Sequence, residues 1–80
     1  MLLENGVWLR CVYRDGDVKD FNSGRLKMDS YGMEILDRNG EVLVSSILPR
    51  SWCIFDPNGK PIDGNAEPSD FDKLFIARSS

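Results

Sequence analysis

Five of the seven glycines in this chain stand directly after Asn or Asp, at Asn5-Gly6, Asp15-Gly16, Asn39-Gly40, Asn58-Gly59 and Asp63-Gly64. Such pairs supply the positive φ that tight hairpin turns need. From Gly6 to Gly40 the glycines recur at intervals of 10, 8, 8 and 8 residues, which is the spacing of one strand plus one turn in a small antiparallel β-protein. At 80 residues the chain makes one domain with a thin core, so association with itself or with a partner is a natural supplement to its stability.

The turns also set a register. Turns at 29–32 and at Asn39-Gly40 place Met28 opposite Met33 and Arg38 opposite Glu41. One face then carries Leu26, Ile35 and Val44 with Met28, Met33 and Ser46, and the other carries Lys27, Glu34 and Ser45 with Arg25, Leu36 and Leu43, so apolar and polar side chains separate as a half-buried meander requires. The pairs Lys27 with Glu34 and Arg38 with Glu41 fall across from one another, each worth roughly a few tenths of a kcal/mol. A first hairpin turns at Asp15-Gly16 and pairs Tyr13 with Val18 and Arg10 with Phe21. Asn22-Ser23-Gly24 breaks the pattern before Arg25 resumes it, as a bulge or kink does where one long strand bends between two sheet halves. Pro49 in Leu48-Pro49-Arg50 ends the fourth strand and opens a 3₁₀ turn. The expectation is an all-β domain, with or without one short C-terminal helix, with strands near 6–14, 17–28 (bent), 33–37, 41–47 and 51–56.

The bent second strand, the meander and the short 3₁₀ turn before the last strand resemble the small five-stranded barrels of the SH3-like and Sm-like type over residues 6–56. The resemblance implies a small antiparallel barrel. It does not extend to the RNA-binding motifs: Val44-Ser45-Ser46-Ile47 lacks the Lys-His pair of the bacterial Sm-like RNA chaperones, and no Arg-Gly pair follows the fourth strand as in archaeal Sm proteins.

Beyond the barrel, 57–65 is a run of turn formers too polar for a core strand, so 57–68 reads as a surface loop. After Pro68, Ser69 with Asp72 has capping-box spacing, and Phe71, Leu74, Phe75 and Arg78 share one helical face, which predicts a short helix over 69–78. The rival is a sixth strand over 73–78, because Leu74-Phe75-Ile76 is a continuous apolar run.

Catalytic chemistry has little to stand on. The chain has no histidine, which removes the commonest general base and metal ligand. Cys11 and Cys53 form no Cys-x-x-Cys pair and lie in apolar strand candidates, the setting of buried thiols; a disulfide stays open if their strands are neighbours. No Gly-Lys-Ser/Thr or Gly-x-Gly phosphate loop occurs. Asp15, Asp17 and Asp20, and Asp56, Asn58 and Asp63, are oxygen ligands without a calcium-loop pattern and read as turn formers. No enzyme, cofactor or metal is expected. Met1-Leu2-Leu3-Glu4 is too short for a signal peptide and no run has membrane-spanning length, so the expected setting is cytoplasmic, without a membrane partner.

What is unusual is apolar surface on both faces of short strands. Leu36 and Leu43 share the outward face with Arg25, and Trp8 lies on the Arg10 side of its strand, away from Val7, Leu9 and Cys11. Trp8, Arg10, Arg25, Leu36 and Leu43 are therefore candidate interface residues, with Arg and Trp the types enriched at hot spots; a cover supplied by the C-terminal segment is the competing explanation. A nucleic-acid barrel using Arg10, Arg14, Arg25 and Trp8 is an alternative, opposed by a net charge of −3 with acids and bases interspersed. A ligand pocket lined by Tyr13, Trp52 and Phe55 is another. The leading expectation is a non-catalytic interaction or assembly module that self-associates or docks on a protein partner. A compact chain of this kind also suits an adaptor or inhibitor carried by a phage or other mobile element.

Overall fold

The structure, a computed structural model, describes residues 1–75; Ile76 and Arg78 of the expected C-terminal element lie outside the described residues. The elements are β1 (Leu2–Leu3), β2 (Trp8–Val12), β3 (Val18–Phe21), β4 (Gly24–Asp29), β5 (Gly32–Leu36), β6 (Val42–Ser46), β7 (Ser51–Phe55), β8 (Pro61–Gly64), a 3₁₀ turn (Pro68–Asp70) and α1 (Phe71–Leu74). The fold is mostly β. Its eight strands form two antiparallel four-stranded sheets, ordered β1-β4-β5-β6 and β3-β2-β7-β8, and they do not close into one barrel. The expected long second strand is two strands, β3 and β4, one in each sheet. The chain bends between them at Asn22 and Ser23, and Gly24 has a φ of 108°.

The β4–β5 register is the one the sequence predicts, with Arg25, Leu26, Lys27, Met28 and Asp29 opposite Leu36, Ile35, Glu34, Met33 and Gly32. Two other registers are corrected. Val12, not Tyr13, pairs with Val18, and Leu9, not Arg10, pairs with Phe21. Leu36 pairs with Val42, not Leu43, because the ladder slips between Ile35 and Leu36. Turn chemistry accounts for the first correction. At 13–17, 37–41 and 56–60 the first residue donates its N–H to the fifth carbonyl (2.9, 2.8 and 2.8 Å) and accepts from the glycine N–H (2.9, 3.1 and 2.9 Å), a type I turn followed by a left-handed glycine, which holds three loop residues where a two-residue turn was expected. Asp37 and Asp56 lock two of these turns by accepting, on Oδ1, the N–H groups two and four residues on. The same turn replaces the expected Arg38–Glu41 pair with the backbone closure of Asp37 on Glu41.

The C-terminal region differs more. Pro61–Gly64 is a strand, β8, added to the edge of β7 with Ile54 opposite Asp63, where a loop was expected; every β8 residue is exposed, so no apolar alternation marks it. A helix does follow, but Ser69 does not cap it. Asp70 is the N-cap and makes no side-chain cap bond, because its carboxylate is engaged elsewhere.

Alternation along β2 and β7 builds two apolar layers. Leu9, Cys11, Tyr13 and Ile54 face the other sheet and pack with Leu3, Leu26, Met33 and Ile35. The opposite face presents Trp8, Val12, Cys53 and Phe55, which pack with Leu74 of α1. The second sheet is thus covered on both faces, by the first sheet and by the C-terminal segment. Among the described residues nothing packs as a second layer on the outer face of the first sheet, where Leu2 and Val42 are about half exposed.

Candidate functional site

The nine side chains singled out from sequence are dispersed over three faces. Trp8 and Arg10 are each 8% exposed and lie under the C-terminal segment. The Trp8 ring stacks on Phe55 at 4.4 Å, with the Arg10 guanidinium 5.1 Å from its centroid. Arg10 is also a cross-strand clamp: its Nε and Nη2 donate to the two carboxylate oxygens of Asp20 at 2.7 and 2.9 Å, and its Nη1 donates to the Lys73 carbonyl at 3.2 Å. Arg14 is exposed beside the 13–17 turn and Arg25 is exposed on the first sheet, so the nucleic-acid set is not brought together. Nor is the pocket set, since Tyr13 and Trp52 belong to the inter-sheet layer and Phe55 to the outer one.

The cover is fixed by a buried polar joint that sequence reasoning missed. The Asp70 carboxylate accepts Arg50 Nε at 2.9 Å, Arg50 Nη2 and Ser51 Oγ, while Ser51 Oγ accepts the Glu67 N–H at 3.2 Å. Hydrogen bonds from Arg50 and then from Ser51 hold the Asp70 carboxyl below its ordinary range. Sequence spacing has no signal for three polar residues that meet only after folding. Among the described residues every buried side-chain nitrogen and oxygen has a hydrogen-bond partner. Cys11 and Cys53 are free thiols on adjacent strands but in separate apolar layers, and burial pushes Cys11 up to about 12, which leaves it a core side chain with little thiolate. The two acidic sets are used in turns and pairs: Asp15 accepts the Asp17 N–H, Asp20 holds Arg10, Asp56 closes its own turn and Asp63 accepts the Gly64 N–H.

Arg25 and Leu36 are cross-strand partners on the outer face of the first sheet, and Leu43 is not aligned with them. Register gives a transverse row of Leu2, Arg25, Leu36 and Val42, one residue from each strand. Leu43 is the extra residue of the ladder slip, and Val42 and Leu43 are 51% and 57% exposed. Leu43 Cδ1 lies 3.8 Å from where a Gly24 Cβ would stand, a point 2.4 Å from Ile35 Cγ2, so the tip of this side chain lies on the Ile35 side of the sheet and not over the row. Beside this row, the residues that line a cleft of about 640 Å³ include Leu2, Glu4, Arg25, Leu36, Asp37 and Arg38. Val42 and Leu2 escaped the sequence reading because the slip, which doubles the apolar residues opposite Leu36, and the two-residue β1 leave no periodic signal.

Compared with protein-family models, with curated proteins and with solved structures, the chain has no significant match. The chemistry of the outer face is that of a contact surface: aliphatic side chains ordered by a rigid sheet, with a guanidinium set among them and a cleft alongside. Among the described residues no cluster of three or more His, Cys, Asp or Glu side chains is placed to hold a metal ion, and no helix is long and apolar enough to cross a membrane.

Proposed function

We propose that this protein is a non-catalytic protein-interaction and assembly module whose binding surface is the outer face of the first sheet, centred on Leu36. The observation that carries the reading is the row Leu2, Arg25, Leu36 and Val42, an apolar stripe with one embedded arginine, the composition of a small interface core. Support comes also from contrast. The outer face of the second sheet is equally apolar and is covered by the chain's own C-terminal segment, whereas this stripe has no intramolecular cover among the described residues. Two buried unpaired thiols suit a reducing compartment such as the cytoplasm.

The test is absolute solution mass by light scattering over a dilution series for the wild-type chain and Leu36→Glu. Self-association that Leu36→Glu abolishes supports the reading. A monomer at all concentrations, indifferent to the substitution, overturns assembly through this face.

A further inference from the structure

We infer that a second copy of the chain joins this one beside this face, through the free edge of β6, by antiparallel pairing about a two-fold axis at Ser45, so that two first sheets become one eight-stranded sheet. The inference rests on the reading of this face as a protein-binding surface.

Each sheet has two edges, and three of the four are guarded. The β3 edge carries Lys19 and Asp20, and the β8 edge starts at Pro61 and carries Asp63. The β4 edge is capped by β1, extended by the Leu26 N–H donating to the Met1 carbonyl at 2.8 Å, with Lys27 and Asp29 beyond. Charge, proline and a covering strand are the usual protections against edge-to-edge pairing. Among the described residues the β6 edge has none of them: residues 42–48 read Val-Leu-Val-Ser-Ser-Ile-Leu without a charge or a proline, and Val42, Leu43 and Ile47 are all more than half exposed.

The free backbone groups select the register. The two-residue turn closes on the pair Asp29 and Gly32, and the Leu26 N–H points to Met1, so hydrogen-bonded and non-hydrogen-bonded pairs alternate from a known start. Counting across, Val44 and Ser46 turn their backbone groups to Ile35 and Met33, and Ser45 turns its N–H and C=O to the open edge. A second β6 satisfies both groups when Ser45 pairs with Ser45 of the other copy. Leu43 of each copy then stands opposite Ile47 of the other, apolar against apolar, and no like charges meet. The strand is its own complement, as an isologous contact requires, and the pairing leaves the two Leu36 rows on the same face of the joined sheet, staggered because Val42 stands opposite Leu48 of the other copy. The contact is small against the roughly 20–30 residues per side of a standard interface, which sets the expected dissociation constant at about 1–100 μM.

The test is a charge exchange at the axis. Ser45→Lys and Ser45→Glu alone each put like charges face to face, and each is expected to weaken the dimer at least about tenfold; an equimolar mixture of the two is expected to recover dimer mass. Ser45 is exposed in the monomer, so circular dichroism and melting of each variant at high dilution should match wild type. As a backbone readout in wild type, Ser45 amide exchange at a total concentration ten times the dissociation constant should be about fivefold slower than at high dilution, because about one fifth of the chains are then monomeric. Recovery in the mixture with concentration-dependent Ser45 protection supports the two-fold edge. Unaltered dimers of Ser45→Lys overturn it while leaving the Leu36 reading standing if Leu36→Glu still dissociates them; a wild-type chain that never self-associates overturns both.

Discussion

The Asp70 carboxylate shows how one side chain ties a terminal segment to a sheet. It is fully buried and bonded to Arg50 and Ser51, and those bonds to its charged form hold its titration below the ordinary carboxylate value. A carboxyl whose folded-state value is depressed contributes stability that is present above its unfolded value, about 3.9, and is lost as pH falls through the folded value. Asp70→Asn keeps the shape and removes the charge. The variant is therefore expected to melt below wild type at pH 7 and to converge with it in strong acid, a closing gap that thermal melts across a pH series would display. An equal gap at every pH would mean that the charge is irrelevant and only packing was lost. The pairing of Arg25 with Leu36 was legible because it follows from the β4–β5 register, whereas the place of Leu43 was not, because the ladder slips between Ile35 and Leu36. The cover over Trp8 was open between the C-terminal segment and a partner, and the docked segment supplies it, a choice that depends on contacts more than fifty residues apart.

At the scale of elements, hairpins rather than sheets carry the local information. The β4–β5 pairing was readable because a two-residue turn leaves a single register consistent with Leu26, Met28, Met33 and Ile35 on one face. Where the turn holds three residues, as at 13–17 and 37–41, the pairing shifts by one, and an Asp-Gly or Asn-Gly pair does not announce which of the two turns it will make. β8 was unreadable for a different reason, being held by its edge rather than by buried side chains. Two glycines separate conformational cost from contact cost. Gly40 has a φ of 81° with nothing within 4 Å of an added Cβ, so Gly40→Ala should cost about 1–2 kcal/mol from backbone strain alone. Gly24 has a φ of 108° and its Cβ would stand 2.4 Å from Ile35 Cγ2 and 3.0 Å from the Leu36 carbonyl, so overpacking adds and the total should reach about 3 kcal/mol or more. Urea midpoints of the two variants measure the difference, and equal losses would show that the strand break at Asn22 and Ser23 yields easily.

For the whole molecule, the second sheet is the shared wall of both apolar layers. β2 and β7 send Leu9, Cys11 and Ile54 to one side and Trp8, Val12, Cys53 and Phe55 to the other, so neither layer can be lost without unsupporting the strands of its neighbour. One cooperative unit should result, and the two tryptophans fall where they can report on it: Trp8 sits in the outer layer with Leu74, whereas Trp52 packs against the inter-sheet core. In single-tryptophan chains made by Trp8→Phe or Trp52→Phe, Leu74→Ala should lower the stability reported by the remaining tryptophan by the same amount, about 2–5 kcal/mol for a buried leucine, with a single urea transition each time. A C-terminal segment that peeled away by itself would instead shift the Trp8 signal alone and leave Trp52 at its original midpoint. Coincident loss would mean that the covering segment is integral to the fold, which leaves the outer side of the first sheet, where Leu2 and Val42 are about half exposed, as the apolar face that no described residue covers.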